Sequence, residues 1–117
     1  MEYETVLAFW FNARHDNYWF KQNYGVDEAI RGGFYDCWEA ARRGELSAWR
    51  KDIRGRLAEI IVLDQFSRNL HRDSALAWQQ DGMALLLAQE AVKIPSYKAL
   101  SLDEKGFRLM TWMHAAS

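Results

Sequence analysis

The chain of 117 residues has the length of one domain, because chains of roughly 100 to 200 residues usually fold around a single core. Half of its residues are hydrophobic and 26% are charged, which excludes an intrinsically disordered protein and leaves enough apolar surface for an ordinary core. The net charge of -1 excludes a global attraction to nucleic acid or anionic lipid, so we expect neither as a partner.

Cysteine usage and the absence of targeting signals predict the compartment. Cys37, the single cysteine, cannot form an internal disulfide, and it lies on an apolar helix face where a small buried thiol is the usual explanation. The sequence begins without the positive flank and apolar run of a signal peptide, and no stretch approaches the roughly 18 apolar residues that a membrane span needs. We therefore expect one cytoplasmic domain over residues 1–117, without membrane contact.

Apolar residues recur at intervals of three and four, and the chain has a single proline, Pro95, so the pattern predicts an all-α fold of about five helices. The first helix is predicted over residues 4–11, where aromatic side chains on both sides indicate that the rest of the domain covers it. Residues 12–24 mix charged side chains with two anchoring aromatics and are interpreted as a loop.

The second helix has predicted signals at both ends. Asp27 is a suitable N-cap, because its carboxylate can accept hydrogen bonds from the unpaired N–H groups of a first turn. Gly32 and Gly33 interrupt the helix, and a kink or close packing against a neighbour is expected there. Gly44 suits the left-handed position after the last turn, and Leu46 can supply the apolar contact of a Schellman stop.

Capping residues also predict where the next two helices begin. Asp52 is predicted to cap a third helix over residues 53–70. Asp73 or Ser74 is predicted to cap a fourth helix that continues to about residue 93.

A fifth helix is predicted near the end of the chain. Ser101 and Glu104, three residues apart, match a capping box at its start. His114 follows Phe107 and Met110 on one face of this helix.

Four hydrogen-bonding side chains fall near the end of the third helix, whose middle is apolar all round and is therefore expected to be central. Asp64 and Arg68 extend an otherwise apolar stripe, and they are four residues apart in the order that favours an ion pair. Gln65 and Asn69 are predicted to form a second polar pair beside them.

A second acid on an apolar stripe is Asp81, which follows Trp78 on the predicted fourth helix. With Asp64, Arg68 and His114 it makes four ionisable groups on inward faces, where such groups are rare unless paired. One interpretation is structural: Arg68 bonds Asp64 or Asp81 and fixes the helix register. The other is functional: the groups line a groove in which Arg68 holds an anion and His114 serves as acid or base.

A run of basic residues follows the second helix. A solvated edge between helices and an anionic partner are both compatible with this run, although only Trp49 could add a stacking surface. Its members are Arg42, Arg43, Arg50, Lys51, Arg54 and Arg56.

The histidines do not have the spacing of a metal site. His71 and Asp73 are two residues apart and His15 and Asp16 are adjacent, but neither pair fits a known metal-binding motif. We therefore expect no metal and no cofactor. No nucleophile stands beside a base in the pattern, so nothing indicates acyl transfer.

Residues 63–70, which read Leu-Asp-Gln-Phe-Ser-Arg-Asn-Leu, resemble the Leu-Asp-Gln-Phe-Pro-Arg-Asn signature of an uncharacterised bacterial family of unknown function with a TPR-like superhelical fold. The similarity extends in order through residues 7–11, 19–20, 40–46 and 77–78. The resemblance implies a TPR-like array with a concave surface of the kind that binds peptides or proteins. It places the distinctive family positions at Asp64, Gln65, Phe66, Arg68, Asn69 and His114.

The chain departs from the family pattern at two places. Ser67 stands where the signature has proline, which restores a backbone N–H and is expected to make the helix straighter. Residues 110–117 resemble a family segment in which the histidine at position 114 is followed by Ser-Glu, here Ala-Ala. The resemblance implies that this chain corresponds to the N-terminal two thirds of the family domain. Helices missing here would leave apolar faces of the fourth and fifth helices uncovered, which favours a homodimer.

The leading hypothesis is a cytoplasmic helical binding module whose ligand is a peptide, a protein or a small anion. Its expected site residues are Asp64, Gln65, Phe66, Arg68, Asn69, Asp81 and His114. One alternative is a small hydrolase or transferase that uses His114 with Asp64 or Asp81 as acid and base. Another is a shortened structural protein whose main property is self-association. The sequence does not name a reaction or a ligand.

Overall fold

The computed structural model describes residues 1–15, 24–101 and 104. All regular elements in these ranges are helical, which confirms the predicted all-α class. The α-helices, in chain order, are α1 (Tyr3–His15), α2 (Tyr24–Arg42), α3 (Ile53–Ile61), α4 (Ser67–Leu70) and α5 (Asp81–Ala91). None of the helices in this part of the chain is both long and apolar enough to cross a membrane.

A continuous helical stretch at residues 53–70, here called the central helix, consists of α3, a π-helical turn (Val62–Phe66) and α4. Its bounds agree with the predicted third helix. Asp52 caps it as expected, because its side chain accepts a hydrogen bond from the Arg54 N–H at 2.9 Å. Helices α1 and α5 pack against α3, while α2 packs against the π-helical turn and α4. The third helix is therefore central, as its all-round apolar middle predicted.

The core is built around the aromatic ring of Phe66, which is completely buried at the end of the π-helical turn. Its centroid lies 5.1 Å from the ring of Phe34, 6.1 Å from that of Phe9 and 6.2 Å from that of Trp10. These rings join α1 and α2 to the central helix. Burying one such side chain contributes about 1.5–3 kcal/mol, so this cluster is a major source of stability.

The end of α2 has the predicted Schellman geometry. Gly44 adopts a left-handed conformation with φ of 76°, and its N–H donates to the Ala41 carbonyl at 3.0 Å. The Glu45 N–H donates to the Ala40 carbonyl at 2.9 Å, and Leu46 packs against the core. The stop signal is confirmed in each of its parts.

Two predicted boundaries at the start of the chain are wrong. Helix α1 continues to His15, so residues 12–15 are helical, while the rest of the predicted loop, 16–23, lies outside the described residues. Helix α2 already begins at Tyr24, which places Asp27 inside the first turn and not at the N-cap. Asp27 is buried there, because its carboxylate serves tertiary contacts described below.

The expected close packing at the paired glycines of α2 is also wrong. A Cβ atom at Gly32 or Gly33 would meet nothing within 4 Å, and both residues are exposed on a helix that continues through them. The close approach occurs at Gly55 in α3. A Cβ there would overlap the Trp49 carbonyl oxygen and lie 2.9 Å from its carbonyl carbon. Only glycine lets the turn that holds Trp49 (Ser47–Lys51) lie so close to α3.

The predicted fourth helix begins later than the sequence suggested. Ser74 caps a short 3₁₀ turn (Ala75–Ala77), accepting from the Leu76 N–H at 3.2 Å, and α5 begins only at Asp81. Trp78 lies between the two elements and is 58% exposed, so the predicted stripe from Trp78 to Asp81 is wrong. The physical reason is the break at residues 78–80, which resets the helical phase. The face of α5 that is buried consists of Ala84, Leu87, Ala88 and Ala91.

The capping box of the predicted fifth helix is present in both directions. The Ser101 N–H donates to Glu104 Oε1 at 2.7 Å, and the Glu104 N–H donates to Ser101 Oγ at 3.2 Å. Phe107, Met110 and His114 lie outside the described residues, so the predicted face of this helix stays a prediction.

We predict that Gly55→Ala lowers the free energy of unfolding by about 1–3 kcal/mol, because the added methyl group forces the Trp49 backbone away from α3. Gly33→Ala is the matched control, and we expect it to raise stability by about 0.5–1 kcal/mol through helix propensity alone. Urea denaturation of the two variants measures both values. Equal effects would contradict the close approach at Gly55.

Candidate functional site

The π-helical turn in the central helix ends directly before Ser67. The Ser67 hydroxyl donates to the Leu63 carbonyl at 2.6 Å and accepts a hydrogen bond from the Trp38 indole at 2.8 Å. A π-helical turn changes the backbone hydrogen-bond register from four to five residues, and the hydroxyl gives the Leu63 carbonyl a donor from four residues ahead. The straighter helix expected from serine at this position stays a prediction, and the backbone directly before Ser67 is a π-helical turn. Turns of this kind often occur at functional sites.

Arg68 bridges two carboxylates that belong to different helices. Its Nη1 donates to Asp64 Oδ1 at 2.6 Å and to Asp81 Oδ1 at 3.0 Å, and its Nη2 donates to Asp81 Oδ2 at 2.8 Å. The side chain of Asp64 is 1% exposed, whereas those of Arg68 and Asp81 are 29% and 23% exposed. Burial by itself lowers the pKa of Arg68, but the hydrogen bonds and charges of Asp81 and Asp64 outweigh it and raise that pKa. The ion pair predicted for Arg68 forms with both acids at once.

Gln65 and Phe66 take different positions around this bridge. Gln65 Nε2 donates to Asp64 Oδ2 at 2.7 Å, so both carboxylate oxygens of Asp64 are hydrogen bonded. Phe66 faces the aromatic core and has no exposed surface. Gln65 and Asn69 do not pair as predicted, because Asn69 contacts a different helix. The residues expected from the family resemblance therefore lie on separate sides of the central helix.

A second polar cluster joins the end of α4 to the first turn of α2. Arg72 binds Asp27 through two hydrogen bonds, Nε to Oδ2 at 2.7 Å and Nη2 to Oδ1 at 2.8 Å. Asn69 Nδ2 donates to Asp27 Oδ1 at 2.8 Å. Sequence reasoning missed this cluster because Asp27 was taken for a cap. Asp27 lies three residues before buried Ile30 and therefore on the same apolar helix face. An acid on an apolar face is the signal that singled out Asp64, and it could have identified Asp27 as well.

Glu59 is a further buried acid that sequence reasoning missed. It has no exposed surface in the middle of α3, and Arg50 binds it through two hydrogen bonds of 2.8 Å each. The hydrogen bond and charge of Glu59 raise the pKa of Arg50. This pair fixes the turn before α3 against the central helix.

Most members of the basic run have acidic partners within the protein. The pairs are Arg42–Glu39, Arg43–Glu45, Arg50–Glu59, Arg54–Glu104 and Arg56–Glu90. These contacts favour the solvated-edge interpretation of the run, because its positive charge is largely compensated within the fold.

An open cleft of about 390 Å³ lies where the first turns of α2 face the end of α4. Asp27, Asn69 and Arg72 form one part of its wall, and Arg31 and Glu28 form another. Arg31 Nη1 binds Glu28 Oε1 at 2.6 Å, and these two side chains are 50% and 71% exposed. We call this space the α2–α4 cleft. The described residues that line it are Asp27, Glu28, Arg31, Asn69, Leu70, Arg72 and Asp73.

The described residues contain no group of three or more histidine, cysteine, aspartate or glutamate side chains arranged to hold a metal ion. Cys37 is buried as expected, and burial raises the pKa of its thiol to about 11. A thiol with this pKa is almost entirely protonated at neutral pH, and a protonated thiol is a poor nucleophile. The interpretation of Cys37 as a small apolar residue agrees with these properties.

His71, directly after α4, packs against an aromatic surface. Its ring lies 4.5 Å from the Trp38 ring and 6.4 Å from the Tyr35 ring, centroid to centroid. Its Nε2 is buried and has no hydrogen-bond partner in the part of the chain that the structure describes. Burial lowers the pKa of His71, and the nearby charges of Arg31 and Arg42 lower it further, against an opposing effect of Glu39.

We predict that Arg68→Met lowers the free energy of unfolding by about 3–5 kcal/mol, because it leaves the buried charge of Asp64 without its partner. Adding Asp64→Asn should recover part of this loss. Arg43→Met, which breaks an exposed pair with Glu45, is the control and should cost less than about 1 kcal/mol. Equal costs in guanidinium denaturation for the two single variants would argue against a structural bridge at Arg68.

We predict that stability falls between pH 7.5 and 5.5 in part because of His71. Its folded-state pKa lies below the ordinary 6.5, so the unfolded chain takes up the proton first and unfolding becomes more favourable as the pH falls. His71→Phe keeps a ring against Trp38 and removes the titrating group. The measurement compares unfolding free energies of both proteins at the two pH values, and an unchanged pH dependence in the variant would rule out this role.

Comparison with known proteins places these observations in a family. Residues 6–117 match the family described as "Bacterial protein of unknown function (DUF924)". The chain is also similar to a solved structure of a protein of unknown function, ATU0120 from Agrobacterium tumefaciens, with 31% sequence identity and a TM-score of 0.89. The match covers 98% of this chain and 65% of that one, so this chain spans just under two thirds of its length. No curated protein matches the sequence. Because the family match extends over almost all of its residues, the chain belongs to the bacterial DUF924 family of unknown function.

Proposed function

We propose that this protein is a helical binding module and that the α2–α4 cleft is its binding site. The observation that carries the proposal is the cleft itself, whose volume of about 390 Å³ suits a small molecule or a short peptide segment. Its wall is held in place by buried Asp27, which both Asn69 and Arg72 bind. A wall fixed in this way favours binding, because little conformational freedom is lost when a ligand arrives.

Arg68 is less suitable for holding a ligand than the sequence suggested. Its guanidinium already binds Asp64 and Asp81, and an incoming anion would have to displace a carboxylate from it. We therefore assign Asp64, Gln65, Arg68 and Asp81 to fixing the register between the central helix and α5. Among the predicted site residues that the structure describes, Asn69 is the one that lines the cleft.

The alternative of acid–base catalysis receives little support from the described residues. Asp64 is buried with both oxygens hydrogen bonded, so a substrate cannot reach it without rearrangement of the helix end. Asp81 is partly exposed, but Arg68 holds both of its oxygens. His114 lies outside the described residues.

The proposal also includes the finer expectations from the sequence: a TPR-like arrangement of the helices, a cytoplasmic location and a homodimer. The packing of successive helices on the central helix supports the first. Three exposed apolar side chains on and beside α5 support self-association, namely Trp78, Met83 and Leu86.

Binding in the cleft can be tested by NMR with the isotope-labelled protein and the peptides Gly-Gly-Gly, Gly-Lys-Gly and Gly-Glu-Gly at millimolar concentration. We expect chemical-shift changes at cleft residues such as Asn69 and Asp73 for at least one peptide. Glu28→Trp, which fills the cleft from an exposed position, should abolish them. Glu45→Trp is the matched control at an exposed site that is not part of the cleft wall, and it should leave them intact. Shifts confined to the surface around Arg68 and Asp81, or no shifts with any peptide, would refute the proposal.

A further inference from the structure

The charged side chains of the α2–α4 cleft differ in how firmly other residues hold them. Asp27 and Arg72 are joined by two hydrogen bonds, and their side chains are 7% and 28% exposed, so this pair is a fixed part of the wall. Arg31 and Glu28 form a single exposed pair, which contributes little to stability and separates easily. Asp73 is exposed and forms no hydrogen bond or ion pair with the described residues. Arg31, Glu28 and Asp73 are thus the charges available to a ligand.

From this arrangement we infer that the cleft recognises a zwitterion, a small molecule that carries both a carboxylate and an ammonium group. The inference rests on the proposed function of the cleft. Arg31 would bind the carboxylate, since a guanidinium matches the two oxygens of that group. Asp73 would bind the ammonium group. Free amino acids and short peptides both present this chemistry.

The charge balance of the cleft disfavours a ligand that is only an anion. The described lining residues bring three carboxylates and two guanidinium groups, an excess of one negative charge. When an incoming carboxylate takes Arg31, Glu28 is released, and its charge adds to that of Asp73. A phosphate dianion bound to Arg31 would leave the carboxylates of Glu28 and Asp73 without a positive partner and would repel them. A zwitterion instead brings an ammonium group that these carboxylates can bind.

The cleft is equally unsuited to a hydrophobic ligand. Among the described residues of its lining, Leu70 is the only apolar one, and it is 7% exposed. A lipid chain or an aromatic ligand would have to displace water from charged side chains without gaining apolar contacts. The recognisable groups of the ligand are therefore its charged ends.

The test is a set of NMR titrations with glycine, triglycine, N-acetyl-triglycine, triglycine amide and inorganic phosphate. We expect triglycine to bind about two- to fivefold more tightly than either end-blocked peptide, as an exposed ion pair at each end would give. Phosphate should bind more weakly than triglycine. If glycine binds as well as triglycine, the ligand is of amino-acid size, and if it binds more weakly, the cleft prefers a peptide. Both results agree with the inference.

Two exposed substitutions identify the contacts. With Arg31→Gln, triglycine and triglycine amide should bind equally, because the carboxylate has lost its partner. With Asp73→Asn, triglycine and N-acetyl-triglycine should bind equally, because the ammonium group has lost its partner. Both positions are on the surface, so loss of the fold does not complicate the comparison.

The outcomes separate the inference from the proposed function. Equal binding of all four glycine compounds in the cleft of the unmodified protein would overturn zwitterion recognition and leave the cleft as a binding site. Tightest binding by triglycine amide or by phosphate would overturn it as well, since the cleft would then select a single charge. No shift at any cleft residue with any probe would refute both.

Discussion

The guanidinium group of Arg68, held between Asp64 and Asp81, is the contact on which the arrangement of the helices depends. It binds a nearly inaccessible carboxylate of the central helix and the first residue of α5. A buried charge is costly unless it is compensated, so α5 has one position in which Asp64 keeps its full set of partners. Arg72 on Asp27 and Arg50 on Glu59 apply the same constraint to the start of α2 and to the turn before α3. The buried acids Asp64, Asp27 and Glu59 thus fix α5, α2 and the turn before α3 in position around the central helix.

The central helix serves a different purpose on each of its sides. Phe66 faces the aromatic core, Asp64 and Arg68 face α5, and Asn69 faces α2 and the cleft. The π-helical turn lies within this short stretch, and the Ser67 hydroxyl connects its backbone to Trp38. The consecutive polar and apolar residues at positions 64–69 therefore contact several different neighbours from one helix end. Membership of the family indicates a shared fold more directly than a shared ligand.

Local signals in the sequence predicted the fold well, and long-range contacts were the part that escaped. The Asp52 cap, the Schellman stop at Gly44 and the Ser101–Glu104 box all involve residues within a few positions of one another, so their chemistry is visible in the sequence. The Asp64–Arg68 pair was predictable for the same reason. Asp27 and Arg72 are 45 residues apart, and no local pattern shows that they meet. The π-helical turn and the late start of α5 also have no local signal in the sequence, since tertiary context can override local preference.

All ion pairs between described residues use arginine as the cation. The lysines at positions 51 and 93 are exposed and take no part in these pairs. A guanidinium keeps its charge in alkaline solution and does not react with reagents that acylate amines. Coupling the protein to a solid support through its lysine amino groups therefore leaves every one of these ion pairs intact.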